Sequence, residues 1–140
     1  MKEDSLETIE LELAILIRRV TSTSSRIGNL DRSAYLLLHH IATKGAAGVK
    51  ALAGEFRLDI STISRQAAAL EQKGYLSRIP DETDGRAYSL QITEQGLKEL
   101  KEDKQTRMKR VGEVTRTWTD EERQTFGMFL KKYNQSVFKE

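Results

Sequence analysis

The sequence predicts a mainly α-helical chain carrying one small β-hairpin, and three observations lead to it. Apolar residues recur at three-and-four spacing along most of the 140 residues. Two such runs meet across only Arg57, Leu58 and Asp59. After Gly74, two short alternating segments flank a loop rich in Pro, Asp and Gly. A chain of this length suits one compact domain, residues 1–140, and leaves little room for a second independent core.

The elements follow in order. Leu6, Ile9, Leu13, Leu16, Ile17 and Val20 mark one face of a first helix, while Leu11 and Ile15 lie off that face, so more than one side must be covered. Asp31 or Ser33 caps a second helix with Ala34, Leu37, Leu38 and Ile41 inward, and Gly45 and Gly48 bracket its end. Two further helices then meet at the three-residue junction. Ala53 is small enough for close helix approach there. In the later of the two, Ile60, Ile63, Ala67 and Leu70 cluster toward the core, while Ser61, Thr62, Arg65, Ala69 and Gln72 turn outward with Ser64 and Gln66 on the flanks. Gly74 suits the end of that helix. Residues 75–79 and 87–92 read as hairpin strands, with Tyr88, Leu90 and Ile92 on the buried face. Thr93 caps a long charged helix bearing Leu97, Leu100, Lys104, Met108 and Val111, with Thr115 as a candidate to extend the series. Thr119 and Glu122 form a capping box before a last helix, whose Phe126, Phe129, Leu130, Tyr133 and Val137 make one stripe. A helix-turn-helix followed by a hairpin is a winged helix-turn-helix, here spanning residues 31–96.

Composition narrows the function. Hydrophobic residues are 38% and charged residues 31%, the balance of a folded helical protein in water. The apolar runs are far shorter than the roughly 18 residues of a membrane helix. The acidic start MKEDSLETIE lacks the basic and apolar regions of a secretory signal, so a cytoplasmic protein is expected. Without cysteine there is no disulfide, thiolate zinc site or thiol redox sensor. His39 and His40 are adjacent and point about 100° apart on a helix, which is poor for a shared metal. No phosphate loop or nucleophile-base pair stands out, so neither an enzyme nor a cofactor is expected.

A net charge of +2 and a pI near 8.9 lean toward an anionic partner only slightly. Within residues 49–89 six basic side chains are matched by six acidic ones, so placement must matter more than number. An element that enters the major groove needs short polar or basic side chains, because base edges offer donors and acceptors at close range. Ser61, Thr62, Ser64, Arg65 and Gln66 meet that need, and Arg65 is placed for a bidentate contact to guanine. Alone, a polar helix face is merely solvated; following a helix-turn-helix and preceding a hairpin, it reads as a DNA-binding face. Arg86 beside Gly85 at the hairpin tip suits the narrow minor groove. Its alternative is a surface ion pair with Asp81, Glu82 or Asp84, of little energetic consequence in water. The acidic run itself lacks the ligand spacing of a calcium loop and reads as turn chemistry. Seven basic against four acidic residues over 98–116 read as a solvated helix face.

The stretch ISTISRQAAALEQKGYLSRIPDETDGRAYSLQITEQG resembles the recognition helix and wing of the MarR family of transcriptional regulators. Asp84 and Arg86 fall on the aspartate and arginine of the family's wing motif, and Leu90, Thr93 and Gly96 fit the segment leading into its long helix. In order and length the resemblance extends over nearly the whole chain. It implies a homodimer built by residues 1–30 and 97–140, and control by a small-molecule effector that releases a repressor from a nearby operon. Two positions depart from the family: Gly85 stands where another basic residue is common, and Ile79 replaces a common arginine, which weakens the wing's hold on phosphate. The lack of cysteine separates the chain from the peroxide-sensing branch.

A two-fold dimer would set its recognition helices about 34 Å apart and favour an inverted-repeat operator in double-stranded DNA. Tyr35 and His39, four residues apart on one helix face, are candidates to bind a small aromatic or phenolic effector, against the plainer reading of ordinary packing. The competing function is a winged-helix module that binds protein, and salt separates the two, since phosphate contacts weaken steeply as salt rises.

Overall fold

In a computed structural model of the chain, residues 2–22 and 28–137 are described, and they form two compact units, Met1–Thr106 and Arg107–Glu140. The first contains helices α1 (Glu3–Ser22), α2 (Arg32–Lys44), α3 (Val49–Phe56) and α4 (Ile60–Gln72), then strands β1 (Leu76–Pro80) and β2 (Tyr88–Ile92). Helix α5 (Glu94–Val114) begins in the first unit and ends in the second, which also holds α6 (Asp120–Val137).

Local chemistry sets most boundaries. Asp31 caps α2 by accepting the Ala34 N–H at 2.8 Å, and Gly45 ends it at φ 94°. Between α3 and α4, Arg57 takes a left-handed conformation (φ 53°, ψ 45°), and the Leu58 N–H donates to the Ala53 carbonyl, closing the expected tight turn. Gly74, at φ 84°, follows α4, with the Tyr75 N–H returning to the Leu70 carbonyl. At the start of α6 the Thr119 hydroxyl accepts the Glu122 N–H while the Glu122 carboxylate accepts the Thr119 N–H, a reciprocal capping box.

The core of the first unit is made by Leu37, Leu38 and Ile41 of α2, Leu52 and Ala53 of α3, Ile63, Ala67 and Leu70 of α4, Leu76 and Leu90 of the hairpin, and Leu100 of α5. Each large side chain fully removed from water contributes about 1.5–3 kcal/mol before conformational entropy is subtracted. The strands pair antiparallel, Leu76 with Ile92 through Pro80 with Tyr88, and Ala47 exchanges both backbone hydrogen bonds with Leu90 (2.8 and 3.1 Å). That extra bridge fixes the hairpin against the loop between α2 and α3.

Two expectations change. Ile60, expected in the core, is 51% exposed. At about 100° per residue it lies some 60° round from Ile63, and as the first residue of α4 it has no preceding turn to cover it. On α5 only Leu100 joins the core; Leu97, Met108 and Val111 are exposed, and the charged Asp103 is buried at 2% exposure, accepting the Leu30 N–H at 3.3 Å. A buried carboxylate needs such donors, and here it ties α5 to the entry of α2.

Thr93 joins the hairpin to α5: its hydroxyl donates to the Gly74 carbonyl (2.6 Å) and accepts the Gly96 N–H (3.0 Å). This draws the first turn of α5 so close to Tyr75 that a Cβ at Gly96 would run into the Tyr75 carbonyl oxygen and stand 2.8 Å from Cγ1 of Ile92. Backbone cannot move aside as a side chain can. Gly96→Ala should therefore lower stability by about 1–3 kcal/mol, despite the better helix propensity of alanine, read as a lower denaturation midpoint at unchanged m-value. An unchanged or higher midpoint would show that the close approach is not needed.

Candidate nucleic-acid interface

Helix α4 buries Ile63, Ala67 and Leu70 against the core, so its opposite side faces solvent. Ser61 and Arg65 are exposed, with Thr62, Ser64 and Gln66 half-buried at the margins. All five predicted base-reading residues thus share the first two turns of one helix. Beyond them the exposed face carries Ala68 and Ala69, whose methyl groups offer no hydrogen bond, and then the exposed Gln72 at the helix end, so the polar groups cluster in the N-terminal half. Among the described residues Arg65 forms no ion pair, and its guanidinium edge is open to a ligand.

The hairpin loop uses its own acidic groups to build its turns. Asp81 accepts from the Thr83 N–H and hydroxyl, both at 2.8 Å, and from the Asp84 N–H at 3.4 Å, while Asp84 accepts the Arg86 N–H at 3.0 Å. The Arg86 guanidinium makes no ion pair among the described residues, so the alternative expected for it, pairing with Asp81, Glu82 or Asp84, does not occur. The Thr83 backbone bond first, and then its hydroxyl and the Asp84 N–H, hold the Asp81 carboxyl below its ordinary pKa. A group depressed in this way stabilises its turn above the unfolded pKa, and the contribution is lost as pH falls through the folded one. The amide resonances of Thr83 and Asp84 should accordingly titrate with a midpoint below about 3.9, the ordinary aspartate value, and stay constant from about pH 5 upward. A midpoint at or above that value would mean the turn does not rest on Asp81.

One link was not anticipated from sequence. Arg78 on β1 donates its Nε–H to both carboxylate oxygens of Glu71 near the end of α4, at 2.9 and 3.1 Å, and its guanidinium lies 4.1 Å over the Tyr88 ring of β2. The hydrogen bond to Glu71 raises the Arg78 pKa further, so the cation persists at any physiological pH. Helix α4 and both strands are thereby held together by one side chain. The only sequence signal is the opposite charge of Glu71 and Arg78 on either side of Gly74.

The candidate effector pair is placed differently. Tyr35 is half-buried and packs on the core, His39 is exposed, and their rings are 6.2 Å apart. A cleft of about 420 Å³ lies instead between the N-terminal end of α2 and α4, lined among others by Asp31, Ser33, Thr62, Arg65, Gln66 and Lys73. Among the described residues no group of three or more His, Asp or Glu could hold a metal ion, and no helix is long and apolar enough to cross a membrane.

Residues 30–88, from the residue before the Asp31 cap to the first residue of β2, match the family model described as "MarR family". Over 137 residues, 96% of each chain, the sequence is 43% identical to a protein of Bacillus subtilis described as an uncharacterized HTH-type transcriptional regulator, YxaD. The chain belongs to the MarR family. Among solved structures, a MarR family protein of Bacillus stearothermophilus superposes with a TM-score of 0.81 over 99% of both chains at 21% identity. The FabT protein of Streptococcus pneumoniae, whose structure is a complex with DNA, superposes at 0.62 over 96% of this chain and 94% of its own, at 20% identity. These two likenesses carry the fold, and the mainly helical winged helix-turn-helix expected from sequence is the fold observed. MarR family members are transcriptional regulators, and the regions named above as recognition helix and wing lie within or beside the matched segment.

Proposed function

We propose that this chain binds double-stranded DNA sequence-specifically as a homodimer, with Ser61, Thr62, Ser64, Arg65 and Gln66 in the major groove and Arg86 in the adjacent minor groove. The observation that carries the reading is the state of the two arginines: both are exposed, neither has an anionic partner among the described residues, and Asp81 and Asp84 beside Arg86 accept hydrogen bonds within the turn. The DNA-bound FabT relative supports the same use of the fold.

The homodimer is argued from apolar surface. On α1, Leu6, Ile9, Leu16 and Ile17 are exposed, and on α6 no residue is buried although Phe126, Phe129, Leu130 and Tyr133 form a stripe. Apolar faces of this extent mark interaction surfaces, and helices without a packed face are marginal in water. A second copy supplies the cover, with residues 1–30 and 97–140 as the dimerisation segments and 31–96 as the DNA-binding lobe. Two-fold symmetry then selects an inverted repeat.

In this reading the protein acts in the cytoplasm as a repressor of a nearby operon, released by a small aromatic or phenolic effector. For an effector bound away from the DNA-reading face, a coupling of about 1–3 kcal/mol suffices. The Tyr35 and His39 pair is one place for it; the cleft beside α4 is favoured by its volume and by the presence of Thr62, Arg65 and Gln66, because a ligand there would compete with DNA directly. The test is binding of the full-length protein to its own upstream DNA against random competitor across a salt series. A complex that survives competitor and weakens steeply with salt supports the reading. If no fragment outcompetes random DNA even at low salt, a protein-binding winged helix takes its place.

A further inference from the structure

From the exposure of Ile60 we infer a specificity contact: this side chain packs on the 5-methyl group of a thymine in each half-site. The inference rests on the DNA-binding reading above and adds to it a base preference that the polar residues do not supply.

Isolated exposed apolar residues are ordinary on protein surfaces, so exposure alone carries little. What distinguishes Ile60 is its position. It is the first residue of α4, 51% exposed, directly before the exposed Ser61 and one turn before Ser64 on the same edge of the helix. A recognition helix in the major groove brings its N-terminal residues to the base edges. An apolar side chain carried there strips water from base donors and acceptors that it cannot replace, a cost avoided only where it meets an apolar group. The major-groove edge offers one such group, the thymine methyl, while guanine, adenine and cytosine are distinguished there by donors and acceptors. Ile60 and Arg65 are five residues apart, a rise of about 7.5 Å with about 140° of rotation between the side chains, so the thymine should lie within about four base pairs of the guanine that Arg65 reads. The core makes no demand on Ile60, since Ile63, Ala67 and Leu70 fill the buried face of α4 without it.

The experiment uses the full-length protein and the specific fragment it selects from its upstream DNA. Each thymine is replaced in turn by deoxyuridine, which removes only the methyl group, and affinities are measured for the native chain and for Ile60→Ala. Burial of one methyl corresponds to about 0.8 kcal/mol, or about fourfold in affinity. One position per half-site should lose about fourfold with the native chain and lose nothing further with Ile60→Ala, whose complex with the unmodified fragment is weaker by at least that factor. Ile60→Val should fall between. The assignment is overturned if no thymine shows a methyl dependence, or if the dependence persists in Ile60→Ala, because another apolar group then makes the contact. Failure of the native chain to prefer any fragment over random DNA is a different result, which removes the DNA-binding reading itself.

Discussion

Arg65→Ala should cut the preference for operator over random DNA by about 5- to 150-fold per half-site, the equivalent of the 1–3 kcal/mol carried by a bidentate contact to guanine. The residual binding should resemble the native chain's non-specific binding, with nearly the same dependence on salt. The reason is geometric: Arg65 lies on the solvent side of α4 among Ser61, Thr62, Ser64 and Gln66, while Ile63 and Ala67 hold that helix on the core from behind. No partner within the described chain is lost on truncation, so stability should change by less than about 0.5 kcal/mol. Arg86→Ala provides the contrast. Its guanidinium extends from the hairpin loop, so removing it should weaken all sequences alike and reduce the salt slope by about one phosphate contact per half-site. Competition binding of both variants on operator and random DNA separates the two roles. Equal losses on both DNAs for Arg65→Ala would show that it contacts phosphate and leaves base reading to its neighbours.

Phe129→Glu should convert a two-chain assembly into single chains and lower operator affinity by about 100-fold or more, because linked half-sites exceed a single half-site by that order. Helix α6 buries none of its residues within the chain, and Phe129 is 56% exposed in the middle of its stripe. If a second copy covers this stripe, symmetry places two phenylalanines in the interface and two unpaired carboxylates in the variant, each costing several kcal/mol to bury. Light scattering reads the mass and competition binding reads the affinity. A variant that keeps the two-chain mass and full operator affinity would place the dimer interface elsewhere.

How much of this was legible beforehand depended on the range over which each signal acts. Caps and turns were readable because they lie within four residues: Asp31 with Ala34, Thr119 with Glu122, Gly45 and Gly74 at helix ends, and the three residues between α3 and α4. The polar face of α4 was readable because helical periodicity places Ser61 and Arg65 opposite Ile63 and Ala67 whatever else the chain does. Periodicity failed at the helix end, where Ile60 has the right spacing but nothing above it to pack against. It also failed on α5, where Met108 and Val111 continue an apolar pattern that stays exposed among the described residues. Contacts between elements left little local trace, no more than the opposite charges of Glu71 and Arg78 on either side of Gly74. The Arg78 bridge to Glu71 and Tyr88, and the burial of Asp103 against Leu30, join residues that only the completed fold brings together.

The central claim is that two copies of α4 read base edges in successive major grooves, and guanine N7 methylation interference on the bound upstream fragment tests it most directly. The account predicts interference at guanines in two clusters related by two-fold symmetry, about 10 base pairs from centre to centre, and its loss with Arg65→Ala. A specific complex insensitive to guanine N7 methylation, or one with a single unsymmetrical cluster, would contradict it.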